Sequence, residues 1–277
     1  MKRIYPTHTY GAGPRHSCWW DETCAAPEWP SIDENKQVDV AIIGAGFTGL
    51  SAALHLAEAG VSVAVMDAQH PGWGASGRNG GFCCLGGSKL SHKELVSKFG
   101  AEHTQEFHQA EMDSVQLVAD LLDRLGIDAD THSHGETLLA HRAKDMHDLQ
   151  KQAQFIRDEY KEEPTLIEKT ELRQRGMGGP YFGALTNPIG FALNPLKYLT
   201  GLAKAAAQAG AQIYANSPVA KLQPSSAGWC LNINGHEIRA ENVLIATNGY
   251  SSDDLPDWLV GDSLRLRQVL INLLGNA

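Results

Sequence analysis

The chain has 277 residues, 43% apolar and 20% charged, which is enough to bury the core of one large domain or two modest ones. Its formal net charge is −9, and its scattered lysines and arginines argue against nucleic-acid binding, which needs a concentrated positive field. No apolar run reaches the length of a signal peptide's core or a membrane span, so we predict no membrane contact and a cytoplasmic location.

Residues 1–36 are rich in proline, tryptophan, glycine and histidine without a period. They predict an irregular arm that Trp19, Trp20 and Trp29 anchor by burying their rings. The five cysteines are odd in number, and we predict reduced thiols. The alternative is a redox-active pair formed by Cys83 and Cys84.

Residues 38–67 predict a βαβ unit. An apolar strand over 38–43 runs into GAGFTG, a helix follows and stops at Gly60, and a second apolar strand ends at Asp67. Units of this kind enclose parallel strands with a right-handed crossover.

The GAGFTG stretch, residues 44–49, has the GxGxxG pattern of dinucleotide-binding loops. The first glycine permits a tight turn, the second lets the backbone approach a pyrophosphate, and the third lets the helix pack on the strand. The helix N-terminus attracts the anion, and an acid about twenty residues further on would bind ribose hydroxyls. The predicted site residues here are Gly44, Ala45, Gly46, Phe47, Thr48, Gly49, Asp67 and Ala68.

The rest of the chain alternates between helical and strand-like segments. Helical spacing covers 92–125, 143–160 and 196–210, and strand-like pieces cover 136–141, 181–195 and four stretches between 211 and 247. The pattern predicts an α/β fold in which a Rossmann-like nucleotide domain contains an inserted α+β substrate domain. We predict an arm over 1–36, nucleotide-domain segments over 37–91 and 196–259, the inserted domain over 92–195, and a tail over 260–277.

A dense run of glycines, PGWGASGRNGGFCCLGG, occupies residues 71–87. Glycines cost backbone entropy and bury little, so this run predicts backbone lying against a ligand. Here the chain resembles the FAD-dependent amine and amino acid oxidases of the D-amino acid oxidase family, above all their gamma-glutamylputrescine oxidoreductase branch. The resemblance implies that Gly74, Ala75 and Ser76 approach the FAD pyrophosphate and that Arg78, Asn79, Gly80 and Gly81 run beside the isoalloxazine ring. The alternative for Arg78 is a solvated surface arginine.

Two later pieces resemble the same family. ANSPVAKLQP implies that the backbone of Val219 meets the adenine, whereas Val219 taken alone would favour the alternative of a sheet-core residue. VLIATNGYS implies a return strand against the flavin, with Ala246, Thr247, Asn248 and Gly249 at its turn. An NAD-dependent dehydrogenase is the alternative, because GxGxxG and Asp67 alone do not separate NAD from FAD.

The resemblance implies oxidation of the C–N bond of an amine or amino acid, with a hydride equivalent passing to flavin N5 and an imine left for hydrolysis. Oxygen or another acceptor would reoxidise the flavin, and no catalytic acid or base is assigned. The stretch that carries a flavin-tethering histidine in some relatives reads SGR here, so we predict noncovalent FAD. We predict no metal at the histidine-rich stretch that holds His132, His134, His141 and His147.

The last residues, GDSLRLRQVLINLLGNA (261–277), resemble the N box of sensor histidine kinases. That resemblance places Mg²⁺-ATP-binding asparagines at Asn272 and Asn276, one helical turn apart. We therefore expect a C-terminally truncated oxidase with a short N-box-like tail, and one alternative is an inactive fusion fragment with a vestigial ATP-binding helix. In the truncated oxidase we expect the tail to do no more than pack on the body as an amphipathic helix.

Overall fold

The computed structural model describes residues 18–25, 27–226 and 228–250. The tail with Asn272 and Asn276 and the first part of the arm lie outside the described residues. The chain forms two compact units. Of the described residues, the first unit contains those up to Gly80, Leu122–Ala129 and those from Asn194 to Tyr250, and the second contains Gly81–Leu121 and Asp130–Leu193.

The described residues form these strands and helices in chain order. The strands are β1 (Lys36–Ile43), β2 (Val63–Met66), β3 (Phe82–Cys84), β4 (Glu136–Leu139), β5 (Thr165–Glu168), β6 (Gly183–Asn187), β7 (Gly190–Ala192), β8 (Gln212–Tyr214), β9 (Val219–Ser225), β10 (Gly228–Ile233) and β11 (His236–Ile245). The helices are α1 (Phe47–Glu58), α2 (His92–Phe99), α3 (Ala101–Leu125), α4 (Asp145–Phe155) and α5 (Pro195–Gln208).

The first unit is built on a six-stranded sheet in the order β8-β2-β1-β11-β10-β9. Strands β8, β2, β1 and β11 are parallel, and β10 and β9 extend the sheet as antiparallel neighbours. Ile43 at the end of β1 pairs with Met66 at the end of β2 and with Ile245 at the end of β11. The carboxyl ends of these three strands therefore meet at one edge, which is where open α/β sheets bind ligands.

Helices α1 and α5 pack against each other in the first unit. Leu50 and Leu54 of α1 and Leu199 and Leu202 of α5 are almost completely buried. Strand β2 is buried along its whole length, as expected for a parallel strand covered on both faces. A further core cluster on the sheet contains Ile32, Val38, Ala41, Ala64, Met66, Tyr214, Leu231, Ile233, Ile238 and Ala240.

The second unit combines helices with two small antiparallel sheets. One sheet has the order β4-β6-β5, and the other pairs β3 with β7. Helix α4 covers a core of Ala140, Leu149, Ala153, Ile156 and Leu185. The unit also contains α2 and most of α3. Its two chain segments lie between segments of the first unit, so the predicted α/β fold with an inserted α+β unit is confirmed.

Some local predictions differ from the structure. The helical segment predicted over 92–125 is two helices, because Gly100 between them has a φ of +85°. Trp19 is 75% exposed, so the prediction that its ring is buried was wrong. Trp20 does attach the arm, since its Nε1–H donates to the Asn79 carbonyl oxygen at 2.8 Å. Within the described part of the chain, no helix is both long and apolar enough to cross a bilayer.

Candidate cofactor site

The turn from β1 into α1 requires the first and third glycines of GAGFTG. Gly44 has a φ of +105°, and a Cβ there would lie 2.6 Å from the Ala246 carbonyl oxygen. A Cβ on Gly49 would lie 2.0 Å from the Gly44 carbonyl oxygen. The first glycine therefore lets the turn pass close to the end of β11, and the third brings α1 onto the turn itself.

The middle glycine faces the glycine-rich loop after β2. A Cβ on Gly46 would lie 2.8 Å from Ser76 Oγ. That oxygen accepts a hydrogen bond from the Phe47 backbone N–H at 3.1 Å. Ser76 thus satisfies one of the amide groups that a helix leaves unpaired at its N-terminus, and it joins the loop to α1.

Asp67 connects the two chain segments that follow β1 and β2. Its Oδ2 accepts from the Ala45 N–H at 2.8 Å, and its Oδ1 accepts from the Gln69 N–H at 2.9 Å. Its backbone N–H donates to the Tyr214 carbonyl oxygen, and its carbonyl oxygen accepts from the Ser217 N–H. Each carboxylate oxygen can accept more than one hydrogen bond, so the side chain keeps acceptor capacity for a ligand hydroxyl.

The glycine-rich loop uses two of its glycines for its own packing. A Cβ on Gly77 would lie 2.1 Å from the Gly72 carbonyl oxygen, and Gly72 itself has a φ of +84°. The run as a whole was predicted to lie against a ligand, and this pair shows that part of it also closes the turn on itself. Gly74 differs, since a Cβ there would meet only the Tyr250 ring, at an ordinary 3.5 Å.

These segments line a cleft of about 330 Å³ in the first unit. Ligand cavities commonly have roughly this volume or more. The predicted residues that line it are Gly44, Ala45, Gly46, Phe47, Thr48, Asp67, Ala68, Gly74, Ala75, Ser76, Val219, Ala246, Thr247 and Asn248. None of the described lining residues is a lysine or an arginine. Anion binding here would therefore depend on backbone N–H groups and the α1 dipole.

The remaining predicted residues lie elsewhere. Gly49 packs inside the turn, and Asn79 Nδ2 donates to the Ala75 and Ser76 carbonyl oxygens. The Arg78 guanidinium lies 5.2 Å from the Trp73 ring centroid and donates to Tyr250 Oη at 3.4 Å. The other predicted residues that do not line the cleft are Gly80, Gly81 and Gly249.

Several lining residues were not predicted from the sequence. Trp73 and Tyr250 pack edge to face, with ring centroids 5.9 Å apart, and Ser217 lies within the predicted adenine segment ANSPVAKLQP. The signal for Trp73 and Ser217 was their position inside motifs that were already recognised. Tyr250 also lies inside a recognised motif, VLIATNGYS, but that motif gave no sign that folding brings its ring to the loop after β2.

The cysteines and histidines that the sequence suggested as redox or metal sites do not line the cleft. Burial raises the pKa of the Cys83 thiol to about 12 and that of the Cys84 thiol to about 11. Little reactive thiolate is therefore present near neutral pH, which disfavours a redox-active pair. His132 Nδ1 is 2.9 Å from Ser133 Oγ. None of the described histidines at positions 132, 134, 141 and 147 belongs to a potential metal-binding group.

Comparison with known protein families gives a match to the family described as DAO, FAD dependent oxidoreductase, over residues 39–270. The chain belongs to this family. The prediction of an FAD-dependent oxidoreductase is thereby confirmed, and FAD rather than NAD is the cofactor of the family. The match extends past residue 260, where we predicted a change of resemblance, and the kinase-like tail stays a prediction.

Individual relatives agree with the family. The probable oxidoreductase OrdL of Haemophilus influenzae is 30% identical over 227 residues, covering 80% of this chain and 52% of that protein. Gamma-glutamylputrescine oxidoreductase of Escherichia coli is 29% identical over 235 residues, covering 84% of this chain and 54% of that protein. The predicted similarity to the gamma-glutamylputrescine oxidoreductase branch is confirmed.

The fold has solved counterparts. The crystal structure of glycine oxidase from Geobacillus kaustophilus superimposes with a TM-score of 0.63 at 27% identity, covering 76% of this chain and 55% of that chain. The chain thus spans about half the length of the curated relatives it matches.

Proposed function

We propose that the cleft holds the ADP portion of a noncovalently bound FAD and that the protein oxidises the C–N bond of an amine or amino acid. The observation that carries this proposal is the position of the cleft. It lies where β1, β2 and β11 end, between the GAGFTG turn and the glycine-rich loop. Family membership adds the identity of the cofactor.

The residues around the cleft suggest how the cofactor would be bound. The N-terminus of α1 at Phe47 and Thr48 would face the pyrophosphate, and the loop residues Gly74 and Ala75 would approach it from the other side. Asp67 would accept hydrogen bonds from the ribose hydroxyls with the acceptor capacity left after its two backbone bonds. The backbone of Val219 would lie at the adenine.

The glycine at position 74 fits a site for this cofactor. Gly74 lines the cleft, has an ordinary φ of −80°, and would meet only the Tyr250 ring if it carried a Cβ. Neither backbone conformation nor protein packing therefore requires a glycine at this position. A ligand phosphate that approaches the protein backbone closely would explain why residue 74 has no side chain.

When bound, FAD supplies a two-electron acceptor at flavin N5 for the hydride equivalent from the substrate, which leaves an imine that water hydrolyses. The protein's contribution is to hold and orient the cofactor. Ser76 fixes the glycine-rich loop to α1, and Asp67 fixes the GAGFTG turn to the end of β2. Both bonds preorganise the binding surface, which lowers the cost of ordering it when the cofactor binds.

Relatives support the substrate class. One similar protein is named gamma-glutamylputrescine oxidoreductase and another glycine oxidase, so an amine and an amino acid are both substrates within this group. We propose a small amine or amino acid as the substrate of this chain, with oxygen or another acceptor reoxidising the flavin. Ala246, Thr247 and Gly249, at the turn after β11, are the proposed continuation of the cofactor surface toward the flavin.

Anaerobic reduction tests the proposed reaction. The purified chain, loaded with FAD, is mixed without oxygen with a panel of primary amines, diamine derivatives and amino acids. We expect at least one compound to bleach the visible flavin band, with recovery on admitting oxygen or an artificial acceptor. Dithionite is the matched control for a reducible bound flavin. If dithionite bleaches the band and no amine or amino acid does, the proposed substrate class is wrong.

A further inference from the structure

A cluster of potential metal ligands lies in the second unit, and none of its residues lines the cofactor cleft. His92 comes from α2, His108 from α3, and Glu159 from the single π-helical turn Ile156–Tyr160 that follows α4. Each side chain offers one ligand atom, and these atoms all lie within 4.8 Å of one another. Three separate chain segments therefore converge on one point.

The two imidazoles have the spacing of ligands that share an ion. His92 Nδ1 lies 3.1 Å from His108 Nε2. Two nitrogens on one tetrahedral zinc ion, each about 2.0–2.1 Å from the metal, are roughly 3.3 Å apart. Glu159 Oε1 lies 3.8 Å from the other nitrogen of the same ring, His92 Nε2, and the ligand atoms that the three side chains offer lie within 4.8 Å of one another.

A buried carboxylate fixes the orientation of His108. His108 Nδ1 lies 3.3 Å from Glu111 Oε2, and both side chains are almost fully buried. Tyr160 Oη donates to the same carboxylate oxygen at 2.9 Å, and the Gly87 N–H donates to Oε1 at 2.8 Å. The carboxylate beside Nδ1 favours the tautomer of His108 in which Nδ1 carries the proton, and Nε2 then presents its lone pair toward His92.

This arrangement has the pattern of metal sites in which a carboxylate holds the far nitrogen of a histidine ligand and sets its tautomer. We propose that His92, His108 and Glu159 bind one divalent transition-metal ion of the zinc class, with Glu111 as a positioning residue. Two imidazoles and a carboxylate suit such an ion better than calcium or magnesium, which prefer oxygen ligands. His92 and Glu159 are partly exposed, which gives the ion an entry path and leaves a position for water.

The bound ion would join α2, α3 and the turn after α4. A metal ion that binds the folded chain but not the unfolded chain stabilises the folded state by mass action. The melting temperature should therefore rise with the free metal concentration. This inference concerns residues of the second unit only and does not depend on the proposed oxidation or on FAD binding.

Metal retention by the full chain without an affinity tag tests the proposal. The protein is stripped with a chelator, dialysed against Zn²⁺ and then against metal-free buffer, and analysed for zinc. We expect about one zinc per chain, and at least a tenfold weaker affinity in His92→Gln. A folded wild-type chain that retains no zinc would overturn the proposal and leave a plain hydrogen bond between the two imidazoles.

Three further variants make the test specific. His103→Gln is the matched control, because His103 also lies on α3 but is exposed and pairs with Glu106, so zinc affinity should not change. Glu159→Gln is the second ligand variant in case His92→Gln fails to fold, and it should also weaken binding. Glu111→Gln should weaken binding by about 10–100-fold through the orientation of His108. Zinc affinity that equals the wild-type value in both ligand variants would contradict the assignment.

Discussion

The glycines of the loop after β2 serve two different physical purposes. Gly77 has no room for a Cβ, because the Gly72 carbonyl oxygen would lie 2.1 Å away. Gly74 has room within the protein and yet lines the cleft. The first glycine is therefore needed for folding, and we assign the second to ligand binding.

Gly74→Ala should weaken FAD binding by about tenfold or more, which corresponds to about 1.4 kcal/mol of binding free energy. The added methyl group enters the cleft without disturbing the fold, so the melting temperature of the FAD-free protein should stay unchanged. Fluorescence titration with FAD and thermal unfolding measure the two effects. Gly178→Ala is the matched control, because Gly178 is exposed and a Cβ added there would have no other atom within 4 Å. Equal FAD affinity in both variants would show that Gly74 does not approach the cofactor.

Tyr160 supports the buried carboxylate of Glu111 in the second unit. Its hydroxyl donates to Glu111 Oε2 at 2.9 Å, and the ring is buried. Tyr160→Phe removes one donor from a buried charge, so it should lower the free energy of unfolding by about 1–3 kcal/mol. Urea denaturation measures the change. Tyr181→Phe, at a partly buried position of the same unit, should cost less than about 0.5 kcal/mol, and a comparable loss in both would contradict the role of the Tyr160 hydroxyl.

At the level of elements, the close approach of α1 to the turn after β1 depends on Gly49. A Cβ there would lie 2.0 Å from the Gly44 carbonyl oxygen, which is backbone and cannot rotate away. Gly201 of α5 is also tightly packed, but the nearest atom to its Cβ belongs to the Ile127 side chain, at 2.6 Å. A side chain can change rotamer, so the two positions should respond differently to the same substitution.

Gly49→Ala should destabilise the protein by about 2 kcal/mol or more, since α1 must move away from the turn. Gly201→Ala should cost less, because alanine favours a helix by about 1 kcal/mol and Ile127 can move. Thermal or urea unfolding of both variants gives the comparison. An equal or larger loss in Gly201→Ala would contradict the packing described for α1.

The elements that sequence predicted well are those with a strong local pattern. The strand before GAGFTG is a continuous apolar run, and the helix after it and α5 have apolar residues at helical spacing. Each of the three is followed by a glycine. Strand β3 was not predicted, because it lies inside the glycine-rich run and forms only by pairing with β7. The grouping of His92, His108 and Glu159 was not predicted either, since it depends on how α2, α3 and α4 pack.

At the level of the whole molecule, the chain consists of a parallel-sheet unit and an inserted antiparallel unit. The sequence predicted this architecture because the βαβ pattern and its GxGxxG loop have strict spacing, and the family match confirms the class. Most of the cleft was predicted for the same reason. Tyr250 was missed because its place at the cleft is a tertiary contact with the loop after β2.

The most direct test of the central claim is the visible absorption spectrum of the purified chain after incubation with FAD and gel filtration. We predict about one flavin per folded chain, with the yellow cofactor released into the supernatant when the protein is precipitated with acid. A chain that circular dichroism shows to be folded but that stays colourless would contradict FAD binding in the cleft. Flavin that remains with the precipitated protein would contradict the noncovalent attachment.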